Sequence, residues 1–125
     1  MSVTLDVVGI AVRDMAASLQ FYRLLGLPAP DGAEAEVHVE IDLGGCRLAW
    51  DTVELLRGVY DGWDEPSGHR VELAFRCASR DEVDAIYGRM TGAGYHGHKV
   101  PWDAFWGQRY AIIEDPDGNL LSLYA

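Results

Sequence analysis

Three aromatic side chains fall within five residues at Trp102-Asp103-Ala104-Phe105-Trp106. Aromatic faces stack on planar rings at about 0.5–1.5 kcal/mol beyond the area they bury, so such a cluster can hold a flat organic molecule. The same rings can instead close the end of a core, and Trp102, directly after Pro101, suits that role. Asp103 either meets a cationic amine on a ligand or remains an exposed turn carboxylate. His38 lies on the polar side of the run Val37 to Leu43, beside Glu40 and Asp42. There it is either a solvated imidazole or a ligand contact. Arg47 shares a side of its run with Ala49 and Asp51, and Glu72 shares one with Arg70, Ala74 and Arg76. These charges either orient polar substituents of a ligand or pair with one another across strands. Trp63 stands in a long irregular stretch, as a lid over a site or as an anchor for that stretch.

Covalent chemistry has thinner support. Ser122 has no histidine near it in sequence, and Cys46 and Cys77 fall in no Cys/His pattern. Glu72 alone is conceivable as a general base. His96-Gly97-His98 sets two imidazoles on one face of a short strand without an evident third ligand.

The elements that position these groups follow from periodicity. Val3 to Val12 reads as a largely buried strand. Asp14 caps a helix carrying Met15, Leu19, Tyr22 and Leu25 on one stripe, and Gly26 ends it. Val37–Leu43 and Cys46–Trp50 are strands joined by Gly44-Gly45, and the parity of Trp50 turns it toward the helix and the core. Val53–Arg57 forms a helical turn at the start of the 52–68 linker. Arg70 to Cys77 alternates as a strand, and Ser79 with Glu82 forms a capping box before Val83, Ile86, Tyr87 and Met90. Strands near His96–Val100, Gln108–Ile113 and Leu120–Tyr124 complete the chain, the last two joined by the turn Asp115-Pro116-Asp117-Gly118-Asn119. An offset of 65 lays Val7 on Glu72, Val12 on Cys77 and Tyr22 on Tyr87. An offset of 73 lays Gly45 on Gly118 and Ala49 on Ser122. A strand–helix–strands unit is therefore duplicated.

Composition bounds the partners. The chain has 125 residues, 49% of them hydrophobic, which suffices for a core and leaves room for one domain. Twenty acidic residues against ten basic ones give a net charge of −10, which disfavours nucleic acid and anionic membranes. No apolar run approaches the roughly 18 residues of a membrane span, and the first residues lack a signal-peptide pattern. Two cysteines make no disulfide framework, so a reduced, cytoplasmic protein is expected.

Val8-Gly9-Ile10-Ala11-Val12-Arg13-Asp14, Phe21-Tyr22 and Leu25-Gly26-Leu27, with Trp106-Gly107-Gln108-Arg109-Tyr110 and Asp115-Pro116-Asp117-Gly118-Asn119, resemble the vicinal oxygen chelate superfamily. That superfamily spans glyoxalases, bleomycin-type resistance proteins and dioxygenases. The resemblance covers nearly the whole chain. It implies an α+β fold of two βαβββ modules, about 3–51 and about 69–125, whose curled mixed sheet encloses a cleft in a strand-exchanged dimer. Gly45 to Glu54, Gly94-Tyr95-His96-Gly97-His98, and Pro101-Trp102 through Asp117-Gly118-Asn119 are most similar to antibiotic-binding members of the mitomycin resistance type. By that likeness Trp106 is a stacking surface and His38 an opposing ring.

The superfamily's metal-dependent enzymes place His, Glu or Gln at four cleft positions, which fall here on Val7, Ala49, Glu72 and Ser122. Only Glu72 is a competent ligand, and one carboxylate does not hold a catalytic divalent cation. The expected function is therefore sequestration of a planar aromatic antibiotic or its chromophore by a homodimer without a cofactor and without catalysis. His38, Trp106, Trp102, Arg47, Glu72, Trp63 and Asp103 are the candidate binding residues. The alternative is a metal-dependent glyoxalase-like lyase, thiol transferase or dioxygenase of the same superfamily.

Overall fold

A computed structural model describes residues 2–125. The chain forms two compact units, one ending at Pro66 and the other running from Ser67 to Ala125.

The first unit is built from β1 (Val7–Val12), α1 (Met15–Leu25), β2 (His38–Asp42), β3 (Arg47–Thr52) and α2 (Val53–Val59). β3 is central, parallel to β1 and antiparallel to β2. Asp14 accepts a hydrogen bond from Ala17 N at the start of α1. At its end Gly26, at φ 118°, lets the Gly26 and Leu27 amides turn back onto Tyr22 O. Alternation sends Ile10, Val12, Val39, Ile41, Leu48 and Trp50 to one face, where Leu19, Phe21 and Tyr22 of α1 complete a buried core. The Tyr22 ring meets Trp50 edge-on at 5.4 Å. Thr52 caps α2 by accepting from Leu55 N, so the helical turn expected at 53–57 extends to Val59.

The second unit contains β4 (Leu73–Arg76), α3 (Arg80–Gly92), β5 (Gly97–Asp103), β6 (Arg109–Glu114) and β7 (Leu120–Tyr124). The sheet order is β4-β7-β6-β5, with β4 parallel to β7 and the other pairs antiparallel. Ser79 caps α3 through Glu82 N. Val83, Ile86 and Met90 are buried with Ala111, Ile113, Leu121 and Leu123. In the turn before β7, Asp115 Oδ1 accepts from the Asp117 and Asn119 amides and Oδ2 from Asn119 Nδ2.

The fold is α+β in two modules that share a strand–helix–strands plan around a parallel strand pair. The second module is βαβββ, whereas the first has three strands. Between α1 and β2 the chain makes turns, for two local reasons. Pro28 and Pro30 withhold two ladder donors. Arg23 then ties the segment down through Ala29 O, Pro30 O and Glu34 Oε1.

Candidate functional site

In the first unit the strand registers build a polar face opposite the Trp50 core. His38 stands opposite Asp51, Glu40 opposite Ala49, and Asp42 opposite Arg47. Across the parallel pair, Ala11, Gly9 and Val7 continue these three rows. Gly9 and Ala49 leave a small-residue floor in the middle row, where a Cβ on Gly9 would lie 3.3 Å from Asp51 Oδ2.

A chain of charges runs over this face. His38 Nδ1 lies 2.5 Å from Asp51 Oδ1 and its Nε2 lies 3.0 Å from Glu40 Oε2. Arg47 donates to Glu40 Oε1 at 2.7 Å and to Asp6 Oδ2 at 2.5 Å. Hydrogen bonding to Asp51, then to Glu40, raises the His38 pKa above 6.5. His38 and then Arg47 lower that of Glu40 below 4.5. Asp6 and Glu40 raise that of Arg47 further. With both ring nitrogens engaged at its edge, His38 is held in one orientation.

The second unit carries an aromatic cluster on the face turned away from α3. Register aligns Trp102 with Tyr110 and Tyr110 with Tyr124, one row across three strands. Ring centroids are 5.2 Å apart for Trp102 and Tyr110, and 6.2 Å for Tyr110 and Tyr124. Trp106, in the turn after β5, meets Tyr110 edge-on at 5.2 Å and Trp102 at 6.3 Å. Its indole donates to Gln108 Oε1 at 2.8 Å, which fixes the ring plane. Phe105 stacks its edge on Trp106 while remaining 97% exposed, and Trp106 itself is 47% exposed. Lys99 Nζ sits 3.8 Å above the Trp102 ring as a cation–π contact.

The remaining candidates are dispersed. Asp103 is bound by Arg80 at 2.6 Å and Arg109 at 3.3 Å, and Arg109 also reaches Asp84. Its charge is thus already met from two sides. Glu72 precedes β4 and lines an open pocket of about 250 Å³ with His69, Arg70, Val71 and Leu120. Trp63 donates to Glu65, which Arg13 holds at 2.6 Å, and stacks on Tyr60. His38, Arg47 and Trp63 belong to the first unit, while Glu72, Trp102, Asp103 and Trp106 belong to the second. Within the second unit Trp102 and Trp106 come together around Tyr110, a residue the sequence reading passed over along with Tyr124 and Lys99. The available signal was parity, since Tyr110 alternates with Ala111 on β6 and Tyr124 with Leu123 on β7, both buried.

The positions that the superfamily uses for a metal can be tested unit by unit. The first unit offers Val7, a hydrocarbon, and Ala49, a fully buried methyl. The second offers an exposed Glu72 and a buried Ser122 paired in register with Ala74. This donor set does not fit a divalent cation. Among the described residues no group of three His, Cys, Asp or Glu side chains is placed to hold one.

Comparison with known proteins fits this architecture. The family model of the Glyoxalase/Bleomycin resistance protein/Dioxygenase superfamily matches residues 4–123. A family enzyme of that description from Burkholderia phytofirmans PsJN is 22% identical, with a TM-score of 0.84 and 98% of each chain covered. A glyoxalase/bleomycin resistance protein/dioxygenase from Nocardioides is 25% identical with a TM-score of 0.76, over 100% of this chain and 84% of that one. TioX from Micromonospora sp. ML1 is 21% identical with a TM-score of 0.66, over 97% of each chain. No curated protein matches the chain. The chain belongs to the glyoxalase/bleomycin resistance/dioxygenase superfamily.

Proposed function

We propose that this member of the superfamily binds and sequesters a planar aromatic antibiotic, or its chromophore, in a metal-free site by aromatic stacking. The supporting observation is the cluster of Trp102, Trp106, Tyr110 and Tyr124, with the indole of Trp106 oriented by Gln108 and half exposed. Exposed indole costs hydration free energy that a flat ligand recovers, and each stacked ring adds about 0.5–1.5 kcal/mol. Within the first unit, His38 is a separate oriented ring, presented by its face because Asp51 and Glu40 hold its edge. Protection is by occupancy: a homodimer in the cytoplasm withholds the drug from its target and leaves it unchanged.

Titration with mitomycin-, quinoxaline- and bleomycin-type compounds tests this, read by tryptophan fluorescence and calorimetry. A stoichiometric complex is expected, weakened at least tenfold by Trp106→Ala, about one stacking contact with its buried area. Affinity unchanged in Trp106→Ala removes the stacking role, and absence of binding by every planar compound removes the function. Metal analysis of protein purified without chelators addresses the metal-dependent alternative. Stoichiometric Ni, Zn, Fe or Mn that supports turnover would replace this reading.

A further inference from the structure

The aromatic row does not end at Tyr124. Arg76 of β4 is the register partner of Tyr124, so Trp102, Tyr110, Tyr124 and Arg76 form one line across all four strands of the second sheet. Directly opposed residues share a face, which puts the guanidinium of Arg76 on the side of the rings. Arg76 is exposed and has no hydrogen bond or ion pair among the described residues. At the other end of the line the Lys99 ammonium rests on Trp102 and also lacks a carboxylate partner.

Two unpaired cations bounding one aromatic row are unexpected in a chain of net charge −10. The nearby acids do not neutralise them. Asp103 is taken by Arg80 and Arg109, and Asp84 by Arg109. Glu114 and Glu72 share the parity of the row but lie four residues along the chain from Tyr110 and Arg76, respectively. That is about 13 Å at the rise of an extended chain. A ligand lying on Tyr110 and Tyr124 therefore meets positive charge at both ends and no free carboxylate between them.

Resting on the stacking function proposed above, we infer that the preferred ligand is an aromatic anion. Its planar ring, carrying a carboxylate or phenolate, lies along the row, and the anionic group is received by Arg76, with Lys99 supporting from the far end. This reverses what the overall acidity suggests, namely a neutral or cationic ligand. Local unpaired charge outweighs net charge here, because the distant acids are screened beyond about 10 Å in ordinary buffer.

The test compares 2-naphthoate with 2-naphthamide, probes alike in ring and shape that differ in charge, by fluorescence titration of the full chain. Naphthoate is expected to bind about tenfold more tightly, the order of one charge-assisted hydrogen bond at a half-exposed site. In Arg76→Met this advantage should fall below about threefold, and in wild type 0.5 M salt should erode it. Equal affinity of the two probes for wild type, or an advantage untouched by Arg76→Met, overturns the anionic preference while leaving the stacking function standing. Failure of both probes to bind overturns the anionic preference, and the stacking function falls with it only when the mitomycin-, quinoxaline- and bleomycin-type compounds fail to bind as well. If Trp106→Ala then also changes the sedimentation coefficient, the row is the seat of a second copy of the chain.

Discussion

His38 and Asp51 face each other across the β2–β3 ladder, with imidazole Nδ1 2.5 Å from the carboxylate oxygen. The pair is the first link in a line that continues through Glu40 and Arg47 to Asp6. Its strength depends on protonation, and the direction follows from linkage. His38 has its pKa raised above 6.5 in the folded chain, by Asp51 first and Glu40 second. The stability it adds is complete below that value and is lost as pH rises through the raised one. Glu40 has its pKa lowered from 4.5, so its contribution is complete above that value and is lost as pH falls through the lowered one. Both are present between about 4.5 and 6.5. The melting temperature of His38→Gln should therefore lie furthest below wild type near pH 5.5 and converge toward it by pH 9. A gap independent of pH would mean that His38 stabilises the fold without its charge.

Within the aromatic cluster, stability and binding should separate. Tyr110 touches Trp102, Trp106 and Tyr124, so Tyr110→Ala is expected to cost about 2–4 kcal/mol in denaturant unfolding. Trp106 is half exposed, so Trp106→Ala should cost under about 1 kcal/mol while carrying the larger loss in ligand affinity. Equal destabilisation by the two would make Trp106 a core residue.

Gly97 opens β5 beneath α3. A Cβ there would overlap the Tyr87 hydroxyl, lie 2.7 Å from the Tyr87 ring carbon Cζ and 2.9 Å from Thr91 Cγ2. Gly97→Ala should destabilise by about 1–3 kcal/mol, the range for overpacking. Because the obstacle is a side chain and φ is not positive here, Tyr87→Ala in the same chain should relieve most of the clash. A double variant as destabilised as the sum of the two singles would contradict that origin.

Asp115 is buried and accepts three hydrogen bonds that close the turn between β6 and β7. Asp115→Ala leaves those donors without their acceptor and should cost about 1–3 kcal/mol. Asp115→Asn should recover part of it, since one amide oxygen still accepts. Thermal unfolding of both variants checks the order.

Much of this was legible beforehand because it is local. Asp14 and Ser79 cap the helices expected of them, Trp50 is fully buried, and the Asp115–Asn119 turn forms as its residue types require. Parity also separated the polar His38–Glu40–Asp42 face from the core. One local signal was overlooked: the alternation that sets half-buried Tyr110 and Tyr124 on the face opposite Ala111 and Leu123.

The sequence by itself determined the duplicated α+β plan, since hydrophobic period and capping residues act over a few neighbours. It also determined how few metal ligands stand at the superfamily's positions, because residue identity alone limits coordination. Only the tertiary structure decided which charges are spent and which are free. Asp103 and Arg109 occur six residues apart, yet Arg80 and Asp84 from α3 complete their pairing. Arg76 reads in sequence like any other arginine of a charged strand face. Register across four strands places it at the end of an aromatic row, because ladder pairing joins residues that the chain separates by up to 48 positions, as with Arg76 and Tyr124.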